Sequence, residues 1–220
     1  MMATERDEGV VLVPAGGATL EGNLLIPAEA TGIVLFAHGS GSSRFSSRNR
    51  YVAQELRRGG LATLLIDLLT VQEEAVDVRT AHLRFDIDLL AGRLAGTIEW
   101  MSREPSTSRL RVGLFGASTG GGAALVAATR LPERVSAVVS RGGRPDLAGA
   151  ALPKVKAPTL LIVGGDDIPV IQLNQEAYDL MTCERRMEII PGASHLFEEP
   201  RTLERVAELA RDWFVRYLRA

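Results

Sequence analysis

Short runs of apolar residues alternate with longer segments of helical periodicity along this chain. Each run holds four to six residues rich in Val, Ile and Leu, and polar residues do not alternate with apolar ones within it. Such runs are typical of strands buried on both faces, as in parallel sheets. The predicted strands are Ile33–Ala37, Leu61–Ile66, Val112–Phe115, Val135–Val139, Thr159–Val163 and Met187–Ile190.

Between these runs, apolar residues recur at spacings of three and four. Two such series, Leu83–Met101 and Leu203–Tyr217, predict a helix each. Strands that alternate with helices predict a mostly parallel sheet with helices on both faces, an α/β fold. At the start of the chain, Gly9–Val13 and Thr19–Ile26 predict an antiparallel hairpin that leads into this sheet.

Composition narrows the class of protein further. The 220 residues are 46% hydrophobic, so we expect residues 1–220 to form a single domain with one large core. A net charge of −2 gives no basic excess for nucleic acid or anionic lipid. One cysteine and three histidines do not suit a Cys/His zinc site. We therefore expect no metal, cofactor, nucleic-acid or membrane partner.

Localisation follows from the apolar segments. The first ten residues lack the apolar core of a secretory signal, and every apolar run is far shorter than the ~20 residues of a membrane span. We expect a soluble cytoplasmic protein, either a monomer or a homodimer.

Residues that can carry chemistry follow several of the predicted strands. Ligands of parallel sheets bind at the carboxyl ends of the strands, so these positions are the candidates for a site. Ser118 follows the third run, Asp166 and Asp167 follow the fifth, and His195 follows the sixth. A nucleophile, a carboxylate and an imidazole are thus expected at one edge of the sheet.

Ser118 lies in Gly116-Ala117-Ser118-Thr119-Gly120, which fits Gly-x-Ser-x-Gly between a predicted strand and a helix of small residues. Such a sharp turn holds the serine in a strained backbone conformation with its hydroxyl exposed. Glycines two before and two after it remove side chains that would collide. The pattern predicts a nucleophile, and a glycine-rich turn that only packs a helix is the alternative.

A serine nucleophile needs a base, and His195 is the only histidine after Ser118. Serine, aspartate and histidine then follow in the order nucleophile, acid, base. The acid holds the imidazole in the correct tautomer. We favour Asp167 for this role, and Asp166 is the alternative. The aspartate that does not orient the histidine is expected to cap the following helix.

Two backbone N–H groups are candidates for an oxyanion hole. One belongs to Thr119, next to the nucleophile, and the other to Ser40 in the glycine-rich loop after the first run. Small residues in that loop let the backbone approach a substrate carbonyl. A loop that is merely flexible is the alternative.

Four arginines and a glutamate lie near these loops in the sequence. Arg141, directly past a strand end, Arg44, Arg48 and Arg144 are candidates to bind a substrate carboxylate as a bidentate fork. Glu73 lies within residues 70–80, where we expect one short flap rather than a lid domain, and it is a candidate to face the pocket. Exposure on the surface is the alternative for all of them.

Five stretches resemble the α/β-hydrolases, and within them the dienelactone-hydrolase-like group. They are LFAHGSGSSR, LLIDLLT, GLFGASTGGGAAL, LLIVGGDDIPV and IIPGASHLFEEP, in the order of that group, from about residue 31 to 200. The resemblance implies the α/β-hydrolase fold with a minimal lid or none. It implies a triad of Ser118, Asp167 and His195 with oxyanion donors at Ser40 and Thr119.

The chain departs from the group in one respect. Dienelactone hydrolases proper carry cysteine where this chain has Ser118, which favours a general ester hydrolase over a dienelactone hydrolase. We expect hydrolysis of small carboxylic esters through an acyl-serine intermediate without a cofactor. Lactones and thioesters pass through the same intermediate and remain alternatives, as does a non-catalytic ligand-binding protein of this fold.

Nucleotide-binding classes are disfavoured by their motifs. The loop Gly39-Ser40-Gly41-Ser42-Ser43-Arg44 lacks the third glycine of a dinucleotide-binding turn. The only lysines lie at 154 and 156, outside any phosphate-binding Gly-Lys-Ser/Thr motif.

Overall fold

The computed structural model describes residues 9–219 and contains an eight-stranded sheet. The strands are β1 (Gly9–Ala15), β2 (Ala18–Leu25), β3 (Gly32–Ala37), β4 (Leu61–Ile66), β5 (Arg111–Ala117), β6 (Val135–Arg141), β7 (Thr159–Gly164) and β8 (Arg185–Ile190). Their spatial order is β1-β2-β4-β3-β5-β6-β7-β8. The pairs β1/β2 and β2/β4 are antiparallel, and all other pairs are parallel.

Residues 9–219 also contain six α-helices and two 3-10 segments, and all but the last helix lie between strands. The helices are α1 (Ser47–Arg58), α2 (Val71–Thr80), α3 (Ile87–Arg103), α4 (Thr119–Arg130), α5 (Ile168–Leu180) and α6 (Thr202–Leu218), and the 3-10 segments are Leu83–Phe85 and Pro145–Lys154. This arrangement confirms the predicted α/β-hydrolase fold. None of the helices within residues 9–219 has the length and hydropathy of a membrane span. The absence of a leader was predicted from residues that lie mostly outside the described part.

Every predicted strand is present, and the central ones are buried along their whole length. All residues of β3, β4 and β7 are buried, as expected for parallel strands covered on both faces. Strand β8 is different, because it forms an edge of the sheet and only Ile190 in it is fully buried. The apolar run Met187–Ile190 therefore does not indicate a strand that is buried on both faces.

Two apolar layers hold the helices against the sheet. On one face, Leu56 of α1 and Phe214 of α6 pack against the central strands. On the other face, Leu94 of α3 and the small residues of α4 do the same. Burial of this apolar surface is the main free-energy source for the fold. The carboxyl ends of the parallel strands remain uncovered by either layer, and the loops there form the candidate site.

The helix predicted from Leu83 begins four residues later than expected. Leu83–Phe85 form a 3-10 turn, and α3 starts after Asp86. The Asp86 carboxylate accepts the N–H of Leu89 at 2.9 Å, which satisfies one of the free donors at the helix start. The helical spacing of apolar residues continues from the 3-10 turn into α3, so this spacing does not show where α3 begins.

The flap expected near residues 70–80 is helix α2. Its start is a capping box, in which Thr70 Oγ1 accepts the N–H of Glu73 and the Glu73 carboxylate accepts the N–H of Thr70. Near its end, the buried Asp77 carboxylate accepts the N–H of Leu83 at 2.6 Å and pairs with Arg84. Polar contacts rather than a deep apolar face therefore hold this helix.

Candidate active site

Ser118 occupies the turn between β5 and α4 in a rare backbone conformation. Its φ is 50° and its ψ is −124°, a region that non-glycine residues seldom adopt. The carbonyl of Ser118 accepts the N–H groups of Gly121 at 2.9 Å and Arg144 at 3.0 Å. These bonds hold the turn, and the Ser118 side chain makes no capping hydrogen bond to α4.

Both glycines of the motif are required by close backbone packing. A Cβ at Gly116 would lie 2.5 Å from the carbonyl oxygen of Gly120. A Cβ at Gly120 would collide with the carbonyl oxygen of Ala37 in β3. The turn therefore packs backbone against backbone, which no larger residue allows.

His195 and Asp167 are in direct contact. His195 Nδ1 lies 2.7 Å from Asp167 Oδ2, and the Asp167 side chain is 14% exposed. Helix α5 begins at Ile168, so Asp167 occupies the residue before it, yet its carboxylate points to the histidine instead of capping the helix. Asp166 is exposed and lies one residue too early to cap α5, so the expectation of a cap there is wrong.

Ser118 and His195 line the same cavity, which we call the nucleophile pocket. It has a volume of about 250 Å³. Its lining residues are Gly39, Ser40, Ser42, Ser46, Arg48, Asn49, Ala117, Ser118, Arg141, His195 and Leu196. Within the described chain, no hydrogen bond joins the Ser118 hydroxyl to His195. Such bonds are often long without substrate and tighten when it binds.

The two residues expected to supply oxyanion donors are bonded to each other. The N–H of Ser40 donates to Thr119 Oγ1 at 3.0 Å. A Cβ at Gly39 would lie 2.9 Å from the Cβ of Ser118, so the loop after β3 passes directly beside Ser118. The structure thus brings Ser40, Thr119 and Ser118 together.

His38 holds the loop after β3 in place through two hydrogen bonds of its ring. Its ring Nδ1–H donates to the Gly39 carbonyl at 2.9 Å, and Nε2 accepts the N–H of Leu68 at 3.0 Å. These partners require a neutral ring with its proton on Nδ1. Burial lowers the pKa of His38 below its usual value, which favours the same neutral form.

Arg141 lies at the end of β6 with its guanidinium in the nucleophile pocket. The residue is 6% exposed, and its Nη2 donates to Asn49 Oδ1 at 3.2 Å. Its Nε has no hydrogen-bond partner within the described residues. Burial, together with the nearby positive charge of Arg48, lowers the pKa of Arg141 to about 10. Asn49 was not singled out from the sequence, where nothing marks it beyond its place in the first turn of a helix.

Arg48 lines the same pocket from helix α1. Its Nη1 lies 3.1 Å from Oε1 of Glu198, in the loop that follows His195. This pair links the start of α1 to the histidine loop across the pocket mouth.

Arg44 and Arg144 do not line the nucleophile pocket. Arg44 pairs with Glu21 and Asp67, so its guanidinium ties the loop after β3 to the neighbouring strands. Arg144 forms a two-bond contact with Asp146, at 2.8 and 2.7 Å. Both side chains are occupied by carboxylates of the protein and not turned toward a substrate.

Glu73 also faces a protein partner. Besides capping α2, its carboxylate lies 2.6 Å from Nη2 of Arg93, which is buried in α3. The expectation that Glu73 faces the pocket is therefore corrected, since the side chain fastens α2 to α3.

A second cavity lies between α2 and the loop after β3, and we call it the α2 cavity. Its volume is about 700 Å³, and it shares Ser42 and Ser46 with the nucleophile pocket. Phe45, Val71 and Val78 line it and are among the exposed large apolar side chains. Exposed apolar side chains around a concave surface are typical of ligand sites.

The fold, the strained serine turn and the histidine–aspartate contact at one sheet edge define an α/β-hydrolase. The family model for the dienelactone hydrolase family matches residues 20–218. The chain belongs to the dienelactone hydrolase family.

One solved structure is similar in sequence as well as in fold, and a second is similar in fold. A dienelactone hydrolase from Anabaena variabilis ATCC 29413 is 65% identical, with a TM-score of 0.95, over 97% of this chain and 99% of that one. Est1E from Butyrivibrio proteoclasticus shares the fold at 15% identity, with a TM-score of 0.78, over 95% of this chain and 98% of that one.

Curated relatives of greater length also match. Two proteins from Mycobacterium tuberculosis strains, which carry the provisional name phosphoribosyl transferase, are each 56% identical over 213 residues. The match covers 97% of this chain and 47% of each relative. The chain thus spans about half the length of the curated relatives it matches.

Proposed function

We propose that this chain is a serine hydrolase that cleaves carboxylic esters through an acyl-serine intermediate. Ser118 Oγ attacks the ester carbonyl while His195 Nε2 accepts its proton. Asp167 holds the imidazole with its Nδ1–H toward the carboxylate and stabilises the imidazolium. The tetrahedral intermediate collapses as His195 protonates the leaving alcohol. Water activated by His195 then releases the acid and regenerates Ser118.

The observation that carries this proposal is the joint position of Ser118 and His195. The serine sits at positive φ on a glycine-supported turn, in one pocket with an imidazole whose far nitrogen contacts a carboxylate at 2.7 Å. This is the relation of nucleophile, base and orienting acid that acyl transfer requires.

The N–H groups of Thr119 and Ser40 are the proposed oxyanion donors. Thr119 is the first residue of α4, where backbone N–H groups are free and the helix dipole is positive. The Ser40 N–H faces the same side, since it reaches the Thr119 hydroxyl. A substrate oxyanion replaces that hydroxyl as the acceptor for Ser40 when the Thr119 side chain turns away.

The size of the pocket favours small esters. A volume of about 250 Å³ next to Ser118 holds a short acyl group, and the α2 cavity offers room for a larger apolar part of the substrate. The transferase name of the longer relatives is not extended to this chain, because the chain covers less than half of them and its candidate site carries a nucleophilic serine.

The test is covalent labelling with a fluorophosphonate followed by intact-mass measurement. We expect one adduct on the parent protein and none on Ser118→Ala. Ser102→Ala, at an exposed position on α3, is the matched control and is expected to label like the parent. A folded parent that gains no adduct would contradict the proposal and favour a non-catalytic binding protein.

The bond that is cleaved is tested by substrate comparison. We expect turnover of 4-nitrophenyl esters of short acids, with loss of about 10⁴-fold or more in kcat for Ser118→Ala. Lactones and thioesters of matched chain length are the comparison set. A kcat/KM for either class well above that for the esters would replace the ester assignment while keeping the acyl-serine chemistry.

A further inference from the structure

Helix α2 presents two faces with different surroundings. Glu73 fastens one face to α3 through Arg93. Four residues later, Asp77 fastens the same face to the following turn through Arg84. The other face borders the α2 cavity, and its residues recur at spacings of three and four. They are Val71, Glu74, Ala75 and Val78. Three of these are apolar, so the fourth places one carboxylate on an otherwise apolar face.

The Glu74 carboxylate has no counter-charge in the described part of the chain. Among residues 9–219 it forms no ion pair and accepts no hydrogen bond, whereas Asp67, the other carboxylate of the cavity, pairs with Arg44. Its charge acts on His38, which lines the same cavity, but that ring is neutral and does not balance it. A half-buried carboxylate beside apolar side chains loses hydration, and a bound cation offsets that loss.

The α2 cavity adjoins the proposed site of ester cleavage. It shares Ser42 and Ser46 with the nucleophile pocket. Glu74 also lines a narrow gap beside Ser40 and Thr119, the proposed oxyanion donors. An ester whose carbonyl is held by these donors can therefore extend one end along the apolar wall of the α2 cavity to Glu74.

We propose that the α2 cavity binds a positively charged ammonium group of the substrate, with Glu74 as its counter-charge. This inference rests on the proposed ester hydrolysis and deepens it, because it names a class of ester. The ammonium group is joined to the ester by an apolar chain, which lies against Phe45, Leu69 and Val78. A cavity of about 700 Å³ holds such a chain together with a trimethylammonium group. Charge complementarity then selects cationic esters over neutral esters of the same shape.

A purely structural role of Glu74 predicts a different result. A carboxylate in the first turn of a helix stabilises that helix through its dipole, and Glu74 occupies this turn of α2. Such stabilisation affects all substrates alike. A difference in kcat/KM between a cationic ester and a neutral ester of the same shape is therefore the measurement that reports on binding.

The experiment compares esters that differ in charge and not in shape. On the acyl side, 4-nitrophenyl 6-(trimethylammonio)hexanoate is paired with 4-nitrophenyl 7,7-dimethyloctanoate, in which carbon replaces the charged nitrogen. On the alcohol side, choline acetate is paired with 3,3-dimethylbutyl acetate. We expect kcat/KM to be about tenfold higher for the cationic member of at least one pair. The pair with the larger ratio shows which end of the ester occupies the α2 cavity. Equal values within both pairs would overturn the proposal.

Substitutions of Glu74 assign the preference to its charge. Glu74→Gln keeps the shape of the side chain and should remove the difference between the cationic and the neutral ester. Glu74→Lys should reverse the preference, so that the neutral ester becomes the better substrate. Glu99→Gln and Glu99→Lys, at an exposed position on α3, are the matched controls and should keep the preference. A preference that persists in Glu74→Gln would contradict the proposal.

Stability is measured on the same proteins. Glu74→Gln removes a charge near the start of α2, so its melting temperature should fall by about 4 °C or less. If kcat/KM falls by the same factor for both members of each pair, Glu74 acts only through the helix and the proposal is overturned. Where Glu74→Lys does not fold, Glu74→Gln carries the test by itself.

Binding without turnover separates failure of this proposal from failure of the proposed function. Methyl 6-(trimethylammonio)hexanoate, choline acetate and their two neutral counterparts are titrated into Ser118→Ala by calorimetry. Tighter binding of a cationic ester, lost when Glu74→Gln is added, supports the site even if no ester is hydrolysed. Labelling of Ser118 and hydrolysis of esters without a preference for the cation reject the site and leave the esterase proposal intact.

Discussion

The two neighbouring cavities are built in different ways. The nucleophile pocket lies at the ends of buried parallel strands, where Ser118 follows β5 and Arg141 ends the neighbouring strand β6. The α2 cavity depends on one ten-residue helix fastened by polar contacts, namely the capping box, the Glu73–Arg93 pair and the Asp77–Arg84 pair.

This difference separates chemistry from selectivity. A buried sheet is close-packed and has low compressibility, so Ser118 at a strand end has little freedom to move. A helix held by a few ion pairs can change its contacts without disturbing the sheet. We therefore expect substitutions of Ser118, Asp167 and His195 to lower kcat, and substitutions at the ion pairs of α2 to raise KM for esters with a long apolar chain.

The largest effect is expected at the histidine–aspartate contact. Asp167→Asn should lower kcat about 10³- to 10⁴-fold, because the amide does not hold the imidazole in the required tautomer or stabilise its cation. Asp166→Asn, its exposed neighbour, is the matched control and should cost less than about threefold. Steady-state kinetics on one 4-nitrophenyl ester measures both, and equal losses would show that the contact is not the functional one.

A tenfold rise in KM is expected when a polar contact that holds α2 is removed. Asp77→Asn removes the charge that accepts the N–H of Leu83 and pairs with Arg84. For an ester with a long apolar chain, KM should rise about tenfold, the cost of one charged hydrogen bond. For an acetate ester, kcat should stay within about twofold.

The control for this change is Asp88→Asn, an exposed carboxylate on α3 that pairs with Arg130. It should leave both KM values unchanged. An Asp77→Asn protein in which kcat for acetate falls as much as affinity for the long ester would erase the distinction between the two cavities.

A moderate loss of folding stability at acidic pH is expected from His38. The folded ring has a lowered pKa because of burial, while the unfolded chain takes up a proton near pH 6.5. Unfolding therefore gains a proton as the pH falls below about 6.5, and stability declines by up to ~1.4 kcal/mol per pH unit from this group. Above that pH the ring is neutral in both states and contributes no slope.

Urea unfolding between pH 7.5 and 5.5 measures this slope. His38→Gln should flatten it, whereas His82→Gln, at an exposed position, should keep it. A slope that is unchanged in His38→Gln would mean that the loop beside the nucleophile is not held by the neutral ring.

The smallest effect is expected at the Ser40–Thr119 hydrogen bond. Thr119→Val removes the acceptor that the substrate oxyanion displaces from the Ser40 N–H, a neutral bond worth about 0.5–1.5 kcal/mol, so kcat should rise about threefold. Thr129→Val, farther along α4, is the control. A fall in kcat would instead show that the Thr119 hydroxyl positions the Ser40 N–H and does not compete with the substrate for it.

Much of the fold was predictable because strands that are buried on both faces consist mainly of apolar residues. The runs that form β3, β4 and β7 are almost entirely apolar, with Thr63 and Thr159 as their buried polar residues, and Gly116 and Gly120 mark the turn by their spacing. The order of Ser118, Asp167 and His195 along strand ends likewise follows from the parallel topology.

Side-chain partners were less predictable, because ion pairs join residues that are distant in sequence. Arg44 lies beside the site loops in the chain, but Glu21 and Asp67 bind it. Glu73 is different, because its sequence neighbourhood carries a local signal. Thr70 and Glu73 have the separation of a capping box, which predicts a helix start rather than a pocket residue.

The turn that carries Ser118 also bears on which atom can serve as the proposed nucleophile. Its backbone is held by Gly116, Gly120 and the bonds to the Ser118 carbonyl, and none of these depends on the hydroxyl oxygen. Exchange of that oxygen for the sulfur of cysteine thus changes the reactivity of the site without rebuilding its frame. The same turn can therefore hold either a serine or a cysteine nucleophile, which differ by a single atom.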